Sequence, residues 1–532
     1  MKGFLQNNKW TFLVVALQMG LIALCFATAD SEDMRLFFNS DTLYLPSLYK
    51  DLILDGASLE GWFINPAPNL LPDVLVYFTL NWITGDFVLA SILFSFIQYV
   101  LIALLIQRVL RLVLPQADDF RMALIQFSIS LIYVVSISDD DFGFSFQLLS
   151  NAYHTGVFIN ILLALWLFLK ELKKPSMARK ILLLICMVVF GFSDKIFWIG
   201  FSFPIIMISL LMLFGKNKKE AIVLLLLTVV ATSGSAYLLS VFENGSYVTV
   251  EKPFRYLDFD NIGNSWAILY NQLSTYVLEL GVKGLIIVLS FVAVVMSLIK
   301  TYRIVIRFFK NTERTIGLDD VFHLFFMLFS AAVFWAPIIN GNYGGWDTIR
   351  YNFAVFVFAL IYLFAQLPEL RLSVKKLVGY FLIGGSTLSF LVLIWNKENW
   401  SSVINYYPRK VRIIDEIAAE NHLEYGVAGH WDAKLTTMFS KQGLRVYSTF
   451  EDFNPYLHVV NHHWFFEKTG QPDQAPVFSF IIIDNEQQII RAKEILGSEC
   501  FVVQKEDIRL LFTPPFIIDP GSNKAVKITD LK

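Results

Sequence analysis

The chain has 532 residues, is 56% hydrophobic and only 17% charged, whereas a soluble domain carries about a quarter charged residues; no water-soluble shell can be assembled from that composition. Its 43 basic and 45 acidic residues leave a net charge of −2, and no basic run is interleaved with aromatics, which argues against a nucleic-acid binder. Of the three cysteines, Cys25 and Cys186 fall in apolar stretches and Cys500 stands alone, so there is no disulfide framework.

Apolar stretches long enough for a hydrocarbon core of about 30 Å recur near residues 11–28, 86–107, 122–137, 154–169, 180–193, 196–214, 220–241, 283–299, 319–337, 351–366 and 377–395. They predict a polytopic α-helical membrane protein of about eleven spans. The first stretch lacks a small-residue cleavage site and is read as a helix, not a signal peptide. Leu71 to Ile83 is too short to span and predicts a helix in the interface, with Tyr77 and Trp82 at headgroup level. Gly191 to Lys195 divides one long run into a hairpin with Asp194 and Lys195 at its turn.

Lysine and arginine in short loops stay cytoplasmic. Alternate loops hold 21 such residues against 7. The rich set includes Lys9, Arg111, Lys173, Lys218, Lys310 and Lys375; the poor set is Arg35, Lys50, Lys195, Lys252, Arg255, Lys283 and Arg350. The expectation is a cytoplasmic N-terminus in the inner (cytoplasmic) membrane. With an odd number of spans, the tail then lies outside. Residues 1–396 form the membrane region, with outer loops 29–85 and 243–281, and 397–532 an extracytoplasmic α/β domain.

The first outer loop is the most informative. Asn39-Ser40-Asp41 precedes a segment in which Leu45, Leu48 and Leu52 recur at helical spacing. That predicts an amphipathic helix on the membrane surface with Asp41 at its start. Gly61-Trp62 and the proline-spaced run ending in Pro72-Asp73 follow. Asp41 with Tyr44 three positions on, then Gly61-Trp62, then Pro72-Asp73 ahead of a short apolar helix, resembles the first outer loop of GT-C membrane glycosyltransferases. The match departs at Thr42, where many members have Glu, and at Asp73, where they have a second Pro. The resemblance also covers the layout of many spans followed by an outer α/β domain.

What the resemblance implies is transfer of a sugar from a polyprenyl-phosphate donor to a glycan, lipid or protein acceptor at the outer face. Such chemistry needs a carboxylate to take the proton of the attacking hydroxyl and cations to balance the departing phosphate. Asp41 matches the family's catalytic acidic position and is the expected base; the competing reading is a helix cap. Arg350, resembling an Arg-Tyr at the head of a late span, is the first phosphate-binding candidate, and an Asp347–Arg350 pair is its structural alternative. Lys195, Lys252 and Arg255 are further phosphate candidates.

Asp139, Asp140 and Asp141 offer oxygen ligands for a divalent cation or contacts to acceptor; a solvated acidic turn is the plainer reading. His154, Asp194, Tyr44 and Trp62 complete the acceptor- or sugar-binding candidates. Asp194 with Lys195 as a mutual ion pair stands equally.

From Tyr406 onward the pattern predicts helix 409–421, strand 425–428, helix 433–440, strand 444–447, strand 478–483, helix 486–496 and a closing strand pair at 500–503 and 509–512. Gly426-Val-Ala-Gly429 lacks the third glycine of a dinucleotide fingerprint. His458, His462 and His463 lie in an aromatic stretch without a carboxylate at ligand spacing, so a zinc site among them is disfavoured. Tyr456, Trp464 and Phe465 either stack on sugar or pack onto the membrane region. Besides transfer, two other readings stand: a transporter or flippase of a lipid-linked saccharide, against which no inverted repeat is visible, and a non-catalytic GT-C-like scaffold.

Overall fold

A computed structural model describes residues 8–138, 146–245, 248–250, 257–310, 315–341, 343–368, 372–395, 397–468, 471 and 473–530. Among these, nine helices are long and apolar enough to cross a membrane: Lys9–Ala27, Phe87–Val113, Asp119–Ile137, His154–Lys173, Lys218–Glu243, Val282–Lys310, Leu318–Ile339, Thr348–Ala365 and Ser373–Trp395. Each falls on an expected stretch. The two remaining expected spans are short helices. Met177–Ser193 has 17 residues and ends where Asp194 adopts extended backbone, and Trp198–Met212 is shorter still. At a rise of 1.5 Å per residue they reach about 25 Å and about 22 Å.

Helix starts follow capping chemistry. Asp86 accepts a bond from the amide of Leu89 at 2.7 Å and Asp118 one from Arg121 at 2.8 Å, each satisfying an N–H that the first turn leaves open. Aromatic packing locks Leu318–Ile339 to Phe353–Ala365, with Phe326 stacked on Tyr362 at 4.1 Å.

The two ends of the bundle differ in chemistry. At one end the amide of Trp10 donates to Asp119 at 2.7 Å, Arg111 donates to Asn8 at 2.8 Å and Lys375 pairs with Asp118. The other end joins Asn69 to Ser193, through a backbone bond of 3.1 Å, and the amide of Ala152 to Asp73, also at 3.1 Å. The short helix Leu70–Thr84 lies at this second end. Trp82 is exposed there as expected, whereas Tyr77 is fully buried.

The first loop corrects the surface-helix expectation. Tyr44–Tyr49 continues as a wider π-helical turn over Lys50–Leu54, and all six residues of the first part are buried. The apolar spacing of Leu45 and Leu48 is therefore satisfied by protein: they pack with Tyr44, Trp62, Val248 and Val459. Among the described residues, three α-helices lie outside the expected elements: Ser31–Phe37, Ile262–Leu278 and Lys397–Ile404.

A small sheet gathers three distant segments. Strand β1, Trp62–Ile64, pairs in parallel with β2, Val248–Val250. The C-terminal region contains β3, Tyr425–Ala428, β4, Arg445–Ser448, and β5, Val460–Asn461. Of these, β5 pairs antiparallel with β1.

The remaining strands are β6, Phe478–Ile482, β7, Phe501–Lys505, β8, Ile508–Asp519, and β9, Lys524–Lys527. They build a second sheet with β3 and β4 in the order β4-β3-β6-β8-β7, with β9 paired to β8. β4, β3 and β6 run parallel and the others antiparallel. Helices Arg409–Asn421, His430–Phe439 and Glu486–Leu496 accompany this sheet, and apolar clusters form on both of its faces. Continuous apolar runs mark its inner strands.

Candidate functional site

The site lies where the first loop meets the C-terminal sheet. In the loop, the side chain of Asn39 accepts the amides of Asp41 and Thr42 at 2.9 and 3.0 Å. Asn39, not Asp41, therefore supplies the turn's side-chain acceptor, and the Asp41 carboxylate points elsewhere. Opposite it, β3 ends at Ala428 and Gly429 leads into the helix opened by His430. The chain beyond β4 brings in His458. Both histidines thus follow the carboxyl ends of adjacent parallel strands, the position where open α/β sheets place ligands.

His430 Nε2 stands 3.4 Å and His458 Nε2 3.6 Å from one oxygen of Asp41, Oδ1. The two imidazole centroids are 5.1 Å apart. Tyr456 packs edge-on against His430 at 5.2 Å, and Trp431, more than half exposed, lies beside the same ring at 4.9 Å. The ammonium of buried Lys434 donates to the Ser40 carbonyl at 3.0 Å, and the hydroxyl of Ser40 donates to the carbonyl of His430. Side-chain exposures of 26% for Asp41, 12% for His430 and 23% for His458 leave the cluster half-open.

Burial works to raise the Asp41 carboxyl, but the two imidazoles and the charge of Lys434 outweigh it and hold the group well below the usual carboxylate range. Burial lowers His430 despite the carboxylate beside it. It also brings Lys434 down to about 7, against the pull of Asp41.

Ten residues further along, Asp51 is buried and accepts three bonds, from Trp62 at 2.7 Å, Asn461 at 3.0 Å and Trp464 at 2.8 Å. Asp55 pairs with Arg445 at 2.9 Å and with Lys50 at 3.1 Å. Gly61, at φ +80°, sits so close to His463 that a Cβ would lie 1.9 Å from its ring; only glycine fits this left-handed position and this approach.

Several expected site residues lie elsewhere. Tyr44 and Trp62 are 2% and 0% exposed, core side chains of the loop and not a sugar-facing surface. Lys195 pairs with Glu243 at 2.7 Å, which replaces the expected pair with Asp194. Asp194 is buried and accepts the amide of Ile196 at 2.7 Å.

Arg350 and His154 form a second cluster. The guanidinium lies 5.9 Å from the ring centre of Tyr153 and 5.5 Å from that of Tyr351, and His154 packs on Tyr351 at 5.0 Å. Ring contacts Tyr153–Phe146 and Phe146–Phe37 lead from there toward the segment preceding Asp41. Asp139, Asp140, Asp141, Lys252 and Arg255, and the side chain of Asp347, lie outside the described residues.

His458, His462 and His463 do not converge. His463 bonds Glu467 at 2.6 Å and His462 packs on Phe466 at 4.7 Å. Trp464 packs on Trp62 at 5.3 Å, Phe465 is fully buried, and only Tyr456 of that aromatic trio borders the site. His430, Trp431 and Lys434 were missed. Their signal was a helix start directly after a strand ending in glycine. No protein-family model matches the sequence, and no curated protein matches it.

Proposed function

We propose that the chain is a membrane glycosyltransferase that moves a sugar from a polyprenyl-phosphate donor to an acceptor hydroxyl at the outer face of the cytoplasmic membrane. The observation that carries this reading is the convergence of His430 and His458 on Asp41, the position that the GT-C resemblance assigns to the reaction. The acceptor oxygen attacks the anomeric carbon, the bond from that carbon to the phosphate oxygen breaks with its electron pair, and the acceptor proton passes to Asp41. Both imidazoles address Oδ1, so Oδ2 is the oxygen assigned to the proton. Trp431 and Tyr456 border the cluster as surfaces on which a sugar ring stacks. The Arg350 guanidinium is assigned to the donor phosphate.

Nine candidate spans among the described residues, or eleven with the short hairpin, are both odd counts, which supports a tail opposite the N-terminus. The basic residues at the Asn8 end of the bundle favour that end as cytoplasmic. The reading is tested in membranes from cells producing wild type or Asp41→Asn, by following incorporation of radiolabelled sugar from the lipid-linked pool into glycan, lipid or protein. Loss of incorporation in the variant is expected. Incorporation unchanged by Asp41→Asn would overturn the assignment.

A further inference from the structure

The contacts around Asp41 are longer than a tight charged hydrogen bond. Hydrogen bonds between a charged donor and a carboxylate settle at about 2.7–2.9 Å, and this molecule has such a contact in His463–Glu467 at 2.6 Å. Asp51 likewise draws its three donors to between 2.7 and 3.0 Å. The two imidazoles at Asp41 stop at 3.4 and 3.6 Å. Both aim the same nitrogen, Nε2, at the same oxygen, and the three ligand atoms lie within 4.8 Å of one another.

Those separations have a simple geometric meaning. Zinc holds nitrogen and oxygen ligands at about 2.0–2.1 Å in a tetrahedron, whose edges are then about 3.3–3.4 Å. Two histidines and a carboxylate on one face of an octahedral iron site at similar bond lengths would stand only about 3.0 Å apart. The two edges to Asp41, at 3.4 and 3.6 Å, lie at and slightly above the tetrahedral length. Asp41 is the acceptor that Nε2 of His430 addresses, and Nδ1 of the same ring is enclosed without a hydrogen-bond partner. Lys434, the nearest cation, directs its ammonium to the Ser40 carbonyl.

We infer that Asp41, His430 and His458 form a three-ligand site for a zinc-class divalent cation, with the fourth coordination position open toward the half-exposed side of the cluster. Three protein ligands and one open position are the pattern of reactive zinc, as opposed to the closed four-ligand pattern of structural zinc. The open position takes a water or an oxygen of a bound phosphate or sugar. The site is assembled from the first loop and the C-terminal region, so a bound cation also ties these two parts together. The inference rests on the same three side chains as the proposed transfer reaction, but it does not require that reaction.

The test uses full-length protein purified in detergent and reconstituted with zinc, with bound metal measured by mass spectrometry. The wild type is expected to hold about one zinc per chain. His430→Ala, His458→Ala and Asp41→Ala each lower the affinity by about 10-fold or more, while His463→Ala retains the metal. Cobalt in place of zinc gives the intense visible absorption of a tetrahedral site.

Should the alanine variants fail to fold, wild type alone decides: added zinc raises its unfolding midpoint and a chelator lowers it. A wild type that holds no zinc after reconstitution, or equal zinc in wild type and in the folded His430→Ala and His458→Ala variants, overturns the site. Zinc bound stoichiometrically in a protein whose Asp41→Asn variant still transfers sugar overturns Asp41 as the proton acceptor and leaves the metal site standing.

Discussion

Asp41 and Asp51 lie on the same loop, both face the C-terminal region, and differ in nearly everything else. Asp51 is buried, and three nitrogen donors from Trp62, Asn461 and Trp464 close around it at hydrogen-bond distance. Asp41 is half-open, and its two imidazoles stand back at 3.4 and 3.6 Å, against 2.7 to 3.0 Å for those donors. One carboxylate is saturated and the other is left with capacity. A group whose bonds are all made holds the seam together; a group held ionised with bonds still to make is available for a ligand or a proton. The lesson is that hydrogen-bond saturation, more than burial or sign of charge, separates a structural acid from a chemical one.

The strongest way to break this comparison is at Asp41. Asp41→Asn preserves size and polarity, so transfer activity should fall by about 10²–10⁴-fold, the range for loss of a positioned proton acceptor. The unfolding midpoint should fall, because the carboxylate held ionised by the imidazoles and Lys434 also stabilises the fold, but by less than for a saturated buried acid. Radiolabel incorporation and thermal unfolding, measured on one preparation, decide it. Asp51→Ala is expected to do the reverse. It leaves three buried donors without an acceptor and should cost about 3–5 kcal/mol. That loss reads as a lower unfolding midpoint and faster proteolytic release of the C-terminal region. If Asp51→Ala folded as well as wild type, the idea of a saturated anchor would be wrong.

Gly61→Ala sharpens the same contrast at a smaller scale. A side chain at φ +80° that also collides with His463 should cost about 1–3 kcal/mol, again without a specific effect on chemistry per folded molecule. Trp431→Ala should raise the KM for sugar donor or acceptor by about 3- to 10-fold, with kcat little changed, as expected from loss of one stacking surface. Last, His463→Ala removes a pair in which both side chains are about 40% exposed. It should alter stability by less than about 0.5 kcal/mol, and a larger change would mean that this end of the seam is tighter than its exposure indicates.

The spans were legible because twenty apolar residues in a row have one solution in a bilayer. Lys218–Glu243 sits on its expected stretch with ends extended by two residues each, whereas Val282–Lys310 begins as expected and continues well past residue 299. The hairpin was legible too: the break near Asp194 divides one long run into two short stretches, and Met177–Ser193 and Trp198–Met212 are short helices. In the C-terminal region, alternation and caps located the helix Glu486–Leu496 at its exact ends, where Asn485 and Gln488 form a capping box.

The inter-loop sheet escaped notice because β1 and β2 have three residues each and β5 has two, too few for any period to register. The helix through Tyr44 was legible as a helix, but its burial was not, since a lipid surface and a protein surface ask for the same leucine spacing. At the site, Asp41 was legible from its place in a motif. Its partners were not, because His430 and His458 are 389 and 417 positions away and pairing over such distances leaves no mark in a single sequence.

That separation also sets a biosynthetic order. The ribosome adds about 5–20 residues per second, so about 20 to 80 s pass between synthesis of Asp41 and synthesis of His430, and every described span after the first is made in the interval. During that time a nascent chain already in contact with its membrane displays the carboxylate without the imidazoles. The seam assembles only when translation is nearly over, and a chain cut before His430 arrives without it.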